Sequence, residues 1–234
     1  MKALLLLLNA GKIGKILLTS GTMLLSVVTY AWIFGWYYAI GFVALLFCHE
    51  MGHYLAARQR GLNVGAPTFI PFVGAWINLK ELPHDVETEA YVGIAGPIVG
   101  TGAALICYYA AQAYDSKLLL ALAYSGFMLN LFNLIPLSPL DGGRITAIIS
   151  PKVWWLGVPL LGALFLWSPS PMLLLVALLA LPHLASTFRG ANAGKPEGYY
   201  EVPFNTRAAY AAWYLGLAAF LGILTYELHN RLNH

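Results

Sequence analysis

Apolar residues run along this chain in long blocks, not at the spacing of an amphipathic surface helix. Seven blocks stand out, at roughly 17–34, 37–57, 90–113, 117–136, 153–167, 171–186 and 208–228. About 20 apolar residues are enough to cross a bilayer as a helix. The fifth and sixth blocks are shorter and read as a tilted pair or a helical hairpin. Gly35 and the run Ser168-Pro169-Ser170-Pro171 mark tight turns between blocks. Backbone groups in hydrocarbon must bond within their own segment. The pattern therefore predicts an all-α polytopic membrane helix bundle of about 6–7 transmembrane segments.

Two stretches break the pattern. Residues 66–79, APTFIPFVGAWINL, hold two prolines, a glycine and several β-formers. They predict two short strands around Phe72-Val73-Gly74, a small membrane-associated β-hairpin. Such a hairpin is allowed at membrane depth only where protein or a cavity covers it. The N-terminus, MKALLLLLNAGKIGK, starts like a signal peptide, but Lys12 and Lys15 follow a short apolar core. It reads as an interfacial helix.

Composition agrees with the blocks. The chain is 59% hydrophobic and 10% charged over 234 residues, against roughly 45–50% and about 25% for a soluble domain. The longest polar stretch, from Thr187 to Arg207, is too short to fold alone. One transmembrane domain over 1–234 is expected. Its net charge of +3 comes from basic residues between the blocks and excludes a nucleic-acid footprint. With the N-terminus in the cytoplasm and each block crossing once, Lys117 and Arg231 alone fall outside. The other 11 of the 13 lysines and arginines fall on the cytoplasmic side, a strong positive-inside bias. Trp36-Tyr37-Tyr38 then suits the outer interfacial belt. Cys48 and Cys107 sit in apolar runs and read as small buried hydrophobes.

Against this background LFCHEMGHYLA, residues 46–56, is costly. It puts His49, Glu50 and His53 inside an apolar block, where ionisable groups are expensive and functional. H-E-x-x-H on a helix sets two imidazoles one turn apart, the spacing for two ligands of one zinc. Glu50 then stands beside the site as general base. The alternative is a pair of histidines bonding across a helix interface. A catalytic zinc takes three protein ligands. Of ten acidic residues, only Glu50 and Asp141 fall inside or at the membrane end of an apolar block. Asp141 is the candidate third ligand, and charge-derived orientation puts it on the same side as His53. Its alternative role is the N-cap of the next helix. Pro136 and Pro139 break the helix before it, and Gly142 and Gly143 are read as permitting unusual dihedrals after it.

HEMGH, then GIAGP at 93–97, then NLIPLSPLDGGR at 133–144 resembles the site-2 protease family of intramembrane zinc metalloproteases. The resemblance is strong over about 12–150, which it implies is the catalytic core, with accessory helices over about 151–234. It implies one zinc per chain held by His49, His53 and Asp141, with Glu50 activating water. It implies that Asn133 faces the substrate backbone or oxyanion; Asn130, a turn earlier, is the other candidate and could instead bridge helices. It implies that the hairpin, about 68–78, grips an unwound substrate as an added strand. Gly100 stands where one version of the pattern has asparagine. Some relatives carry PDZ or CBS domains; this sequence leaves no room for either, so a minimal form is expected. The resemblance implies cutting of a substrate's transmembrane helix, and the likeness of the tail to a bacterial subgroup implies a bacterial plasma membrane. A rival class, a metal-transit site, has no need of Glu50 and no second polar cluster to continue a route. His84 and His183 read as a loop and a helix-end histidine. Arg144 reads as snorkelling or capping, and Tyr199 and Tyr200 as packing on the cytoplasmic face.

Overall fold

The computed structural model describes residues 19–70, 74–79, 83–188 and 195–233. The N-terminal stretch read as an interfacial helix, the hairpin turn at 72–73, Lys80 and Arg189 lie outside the described residues. Helix α1 (Thr19–Phe34) gives way to α2 (Trp36–Gln59) at Gly35. Gly35 has φ +85°, a left-handed angle that favours glycine. Strands β1 (Val64–Ile70) and β2 (Gly74–Leu79) follow, paired antiparallel with Ile70 opposite Gly74. They pack against α2.

Helix α3 (Val86–Tyr114) starts where Asp85 caps it, accepting from Thr88 N at 2.6 Å. It ends at Asp115, which turns left-handed with φ 48°. Ser116 then caps α4 (Lys117–Asn133). The short α5 (Asp141–Thr146) precedes a 3₁₀ turn (Pro151–Leu156) that runs into α6 (Gly157–Trp167). Helices α7 (Pro171–Phe188) and α8 (Phe204–Asn233) complete the order.

Among the described residues, seven apolar helices thus overlap the seven apolar blocks. Three of them, 36–59, 86–114 and 204–232, are long and apolar enough to cross a membrane by length and composition. The others, at 19–34, 117–133, 151–167 and 171–187, are shorter. Helix α4 stops at Asn133, short of the predicted 136, because the Pro136 and Pro139 segment cannot continue it. The block at 153–167 begins as a 3₁₀ turn.

Helix α3 is the axis of the bundle. It packs on α2 on one side, on α4 and α5 on others, and α8 closes over α4. Phe127, Ile145, Leu221 and Leu228, all essentially inaccessible, join α4, α5 and α8 in one core. A second core joins the start of α3, the segments flanking α5, the 3₁₀ turn, α6 and α7 around Leu137, Ile148 and Trp154.

Polar residues tie one end of the bundle. Arg60 lies 4.3 Å over the Tyr91 ring and 3.5 Å from Glu87. Tyr199 is 2% exposed; its hydroxyl donates to Glu89 and its carbonyl accepts from Val86 N. Burial first, and then the Glu89 charge, push the Tyr199 phenol far above its ordinary value, so it stays a donor. The Arg207 guanidinium donates to the carbonyls of Ile149, Tyr200 and Val202, pinning the start of α8. Tyr199, read from the sequence as packing on one face, is a buried post in this end.

Candidate metal centre

Helix α2 runs unbroken through the apolar block, so His49 and His53 stand on one face a turn apart. Their Nε2 atoms are 3.1 Å apart. Asp141 is the first residue of α5, and its Oδ2 lies 3.1 Å from His49 Nε2 and 3.2 Å from His53 Nε2. All three side chains are buried. Leu140 occupies the cap position of α5, so the Asp141 carboxylate goes to the histidines and not to a helix cap.

Hydrogen bonds on the far side of each ring decide its protonation pattern. His53 Nδ1 lies 2.7 Å from the Val92 carbonyl, which can only accept, so Nδ1 carries the proton. His49 Nδ1 lies 2.8 Å from Asn130 Oδ1. The Asn130 amide is fixed in turn, because its Nδ2 donates to Gly126 O at 2.7 Å. In its neutral form each ring therefore turns an Nε2 lone pair toward the same carboxylate oxygen. Two lone pairs and an anionic oxygen this close, buried, repel unless a cation lies among them. The spacings match the roughly 3.3 Å expected between ligand atoms 2.0–2.1 Å from a tetrahedral ion. Two imidazoles and one carboxylate are also a donor set that zinc accepts, with a fourth position open.

Glu50 is buried beside His49 on α2. The two asparagines of α4 part company. Asn130 is 1% exposed and bridges α4 to His49. Asn133 is half-buried and donates from Nδ2 to Leu129 O in its own helix at 3.1 Å. His84 is exposed. His183 is exposed too, with Nδ1 3.2 Å from Leu179 O and its ring edge-on to Trp154. Neither histidine belongs to the cluster.

Glycines set how closely the elements approach. A methyl group at Gly96 would overlap the His53 imidazole. At Gly52 it would come 2.9 Å from the Ala95 carbonyl carbon, so α2 and α3 meet backbone to backbone there. Gly142 and Gly143 correct the sequence reading. Both are helical with ordinary dihedrals; among the described residues the left-handed glycines are Gly35, Gly61 and Gly198. What Gly142 and Gly143 supply is room. A methyl at Gly142 would overlap the carbonyls of Leu134 and Ile135, and one at Gly143 would come 2.7 Å from Ser138 Cα. Trp154 adds a brace that the sequence did not suggest: its buried indole N–H donates to Gly143 O at 2.8 Å, two residues from Asp141.

The model of peptidase family M50 matches residues 37–116. Residues 37–116 thus resemble a peptidase family M50 domain. The matched span contains His49, Glu50 and His53 and ends before Asp141. Among curated proteins, the chain is 33% identical over 129 residues to a zinc metalloprotease of Methanocaldococcus jannaschii. That alignment covers 51% of this chain and 37% of the relative. A chloroplastic relative from Arabidopsis thaliana is 34% identical over 67 residues, 26% of this chain and 12% of that protein. The chain thus spans well under half the length of these relatives. Among solved structures, a site-2 protease from Methanocaldococcus jannaschii is similar at 26% identity over 77% of this chain and 87% of that one, with a TM-score of 0.46.

Proposed function

We propose that this chain is a zinc-dependent membrane endopeptidase that cuts a peptide bond within, or at the cytoplasmic edge of, a substrate's transmembrane helix. The observation that carries the reading is the convergence of two imidazole Nε2 atoms and one carboxylate oxygen within 3.1–3.2 Å in a buried site. His49, His53 and Asp141 would hold one zinc. When bound, zinc supplies a Lewis acid that polarises a carbonyl and lets water ionise near neutral pH.

The remaining work falls to this chain's own side chains. Glu50 takes a proton from water and passes it to the departing amine. Asn133 offers an amide N–H to the substrate carbonyl as charge develops on it. An amide has two N–H donors and Leu129 O takes only one, which supports that role. Helical peptide bonds are shielded, so the substrate must unwind; the β1–β2 pair, packed on α2, supplies edges to which an extended segment can add. The positive-inside bias supports a cytoplasmic mouth, and the apolar helices support a cell membrane as the location.

Zinc analysis and cleavage on the full chain in mild detergent test this. Wild type should carry about one zinc per chain. Glu50→Gln should keep that zinc and lose cleavage of a transmembrane substrate, whereas His49→Ala and Asp141→Asn should lose the zinc. Normal cleavage by a Glu50→Gln protein with verified zinc content would sink the mechanism.

A further inference from the structure

The Asn130 amide lies where α3 leaves a gap. A side chain at Gly100 would begin 2.8 Å from Asn130 Nδ2 and closer still to Oδ1. Gly100 is the position where one form of the family pattern carries an asparagine. Here that position is bare, and the Asn130 amide of the facing helix occupies the space. Once seated, the group is held on both sides. One Nδ2 N–H donates to Gly126 O at 2.7 Å, Oδ1 faces His49 Nδ1 at 2.8 Å, and the residue is 1% exposed.

We propose that Asn130, seated in the space left by Gly100, is a positioning residue for the metal centre: it accepts the Nδ1 proton of His49 and so holds the ring with Nε2 bare and aimed at Asp141. The proposal rests on the metal-site reading above. Asn130 plays for His49 the part the Val92 carbonyl plays for His53. The difference is that Asn130 is a side chain and can be replaced. Groups of this kind typically change metal affinity by about 10–100-fold when removed. Without the acceptor, the His49 ring is free to rotate or to carry its proton on Nε2, which blocks ligation.

The test is zinc affinity of the full chain in detergent, by competition with a chromophoric chelator, together with the visible spectrum of the cobalt(II)-loaded protein. Asn130→Leu keeps the bulk and removes the acceptor. It should weaken zinc at least tenfold and alter the cobalt bands. Asn130→Asp restores an acceptor oxygen and should recover most of the affinity. Gly100→Ala pushes on the amide from the other side and should weaken zinc in the same direction. Wild-type affinity and an unchanged cobalt spectrum in Asn130→Leu would overturn the proposal. So would equal losses in Asn130→Leu and Asn130→Asp, because that pattern reports packing rather than an acceptor. If Asn130→Leu does not fold, Gly100→Ala decides, with unchanged affinity counting against. A wild type that binds no zinc would instead overturn the metal site itself, a result these variants cannot imitate.

Discussion

Helices α3 and α8 are nearly the same length, both apolar and both glycine-containing, yet they do opposite work. Half of the apolar window of α3 is buried inside the protein, against 11% of that of α8. On α3, Gly93, Gly96 and Gly100 line up at helical spacing. Each faces something in contact: Arg144 of α5, the His53 ring and the Asn130 amide. On α8, Gly216 and Gly222 face nothing within 4 Å. A glycine in a membrane helix is therefore not one kind of signal. On α3, Gly93, Gly96 and Gly100 mark where the metal centre and its supports meet the helix surface, while Gly102 faces nothing within 4 Å and borders, with Gly216 of α8, a groove between the two helices.

The sharpest way to break this contrast is Gly96→Ala. The added methyl overlaps the His53 imidazole, and that ring is held by the Val92 carbonyl on its other side. It cannot retreat without giving up either its tautomer or its place beside Asp141. Bound zinc per chain should fall at least tenfold while the helical circular dichroism stays near wild type. Full zinc occupancy in Gly96→Ala would mean that α3 yields easily and that its glycines are not spacers for the site.

Gly52→Ala probes the same contact from α2. Here the methyl meets the Ala95 carbonyl, which is backbone and cannot swing away. The two helices must separate along their best-packed stretch, at a cost of about 1–3 kcal/mol. A lowered Tm in detergent, with zinc affinity reduced less than in Gly96→Ala, is the expected ordering. The reverse ordering would make the helix contact, not the ring contact, the feature that sets the site.

These two variants also show what was readable in advance. The H-E-x-x-H spacing on a helix was enough to predict two facing imidazoles, because that depends only on α2. Asp141 was readable because acids in apolar blocks are scarce, and the structure brings its carboxylate to both rings. The supports were not readable. Val92 and Asn130 act on rings 39 and 81 residues away, and no local pattern marks a carbonyl or one of two asparagines as the partner. Asn130 and Asn133 lie three residues apart, so sequence put both near one face and could not say which met α2. Gly142 and Gly143 were noticed for the wrong physical reason. A GG pair permits odd dihedrals, but these two are needed because backbone from the preceding loop passes directly over them. That follows from tertiary packing alone.

Trp154→Phe tests the brace on α5. It removes one buried hydrogen bond, to Gly143 O, and keeps nearly all the ring packing. A loss of about 1–2 kcal/mol in stability is expected. Because Gly143 is two residues from Asp141, zinc should also leave faster in a chelator chase. A stability loss with unchanged zinc release would confine Trp154 to packing of the second core.

Gly216→Ala carries the smallest effect and closes the contrast. The position is helical, its φ is ordinary and no atom lies within 4 Å of the added methyl. Alanine is the better helix former by up to about 1 kcal/mol. Thermal stability should hold or rise slightly, and zinc content should not change. That is the opposite sign from Gly52→Ala for the same chemical substitution in an equally apolar helix. A clear loss of stability in Gly216→Ala would mean that the open face of α8 is covered in the folded protein. The α3–α8 groove would then be an interface, and α8 would have to be counted with α3 as an interior helix.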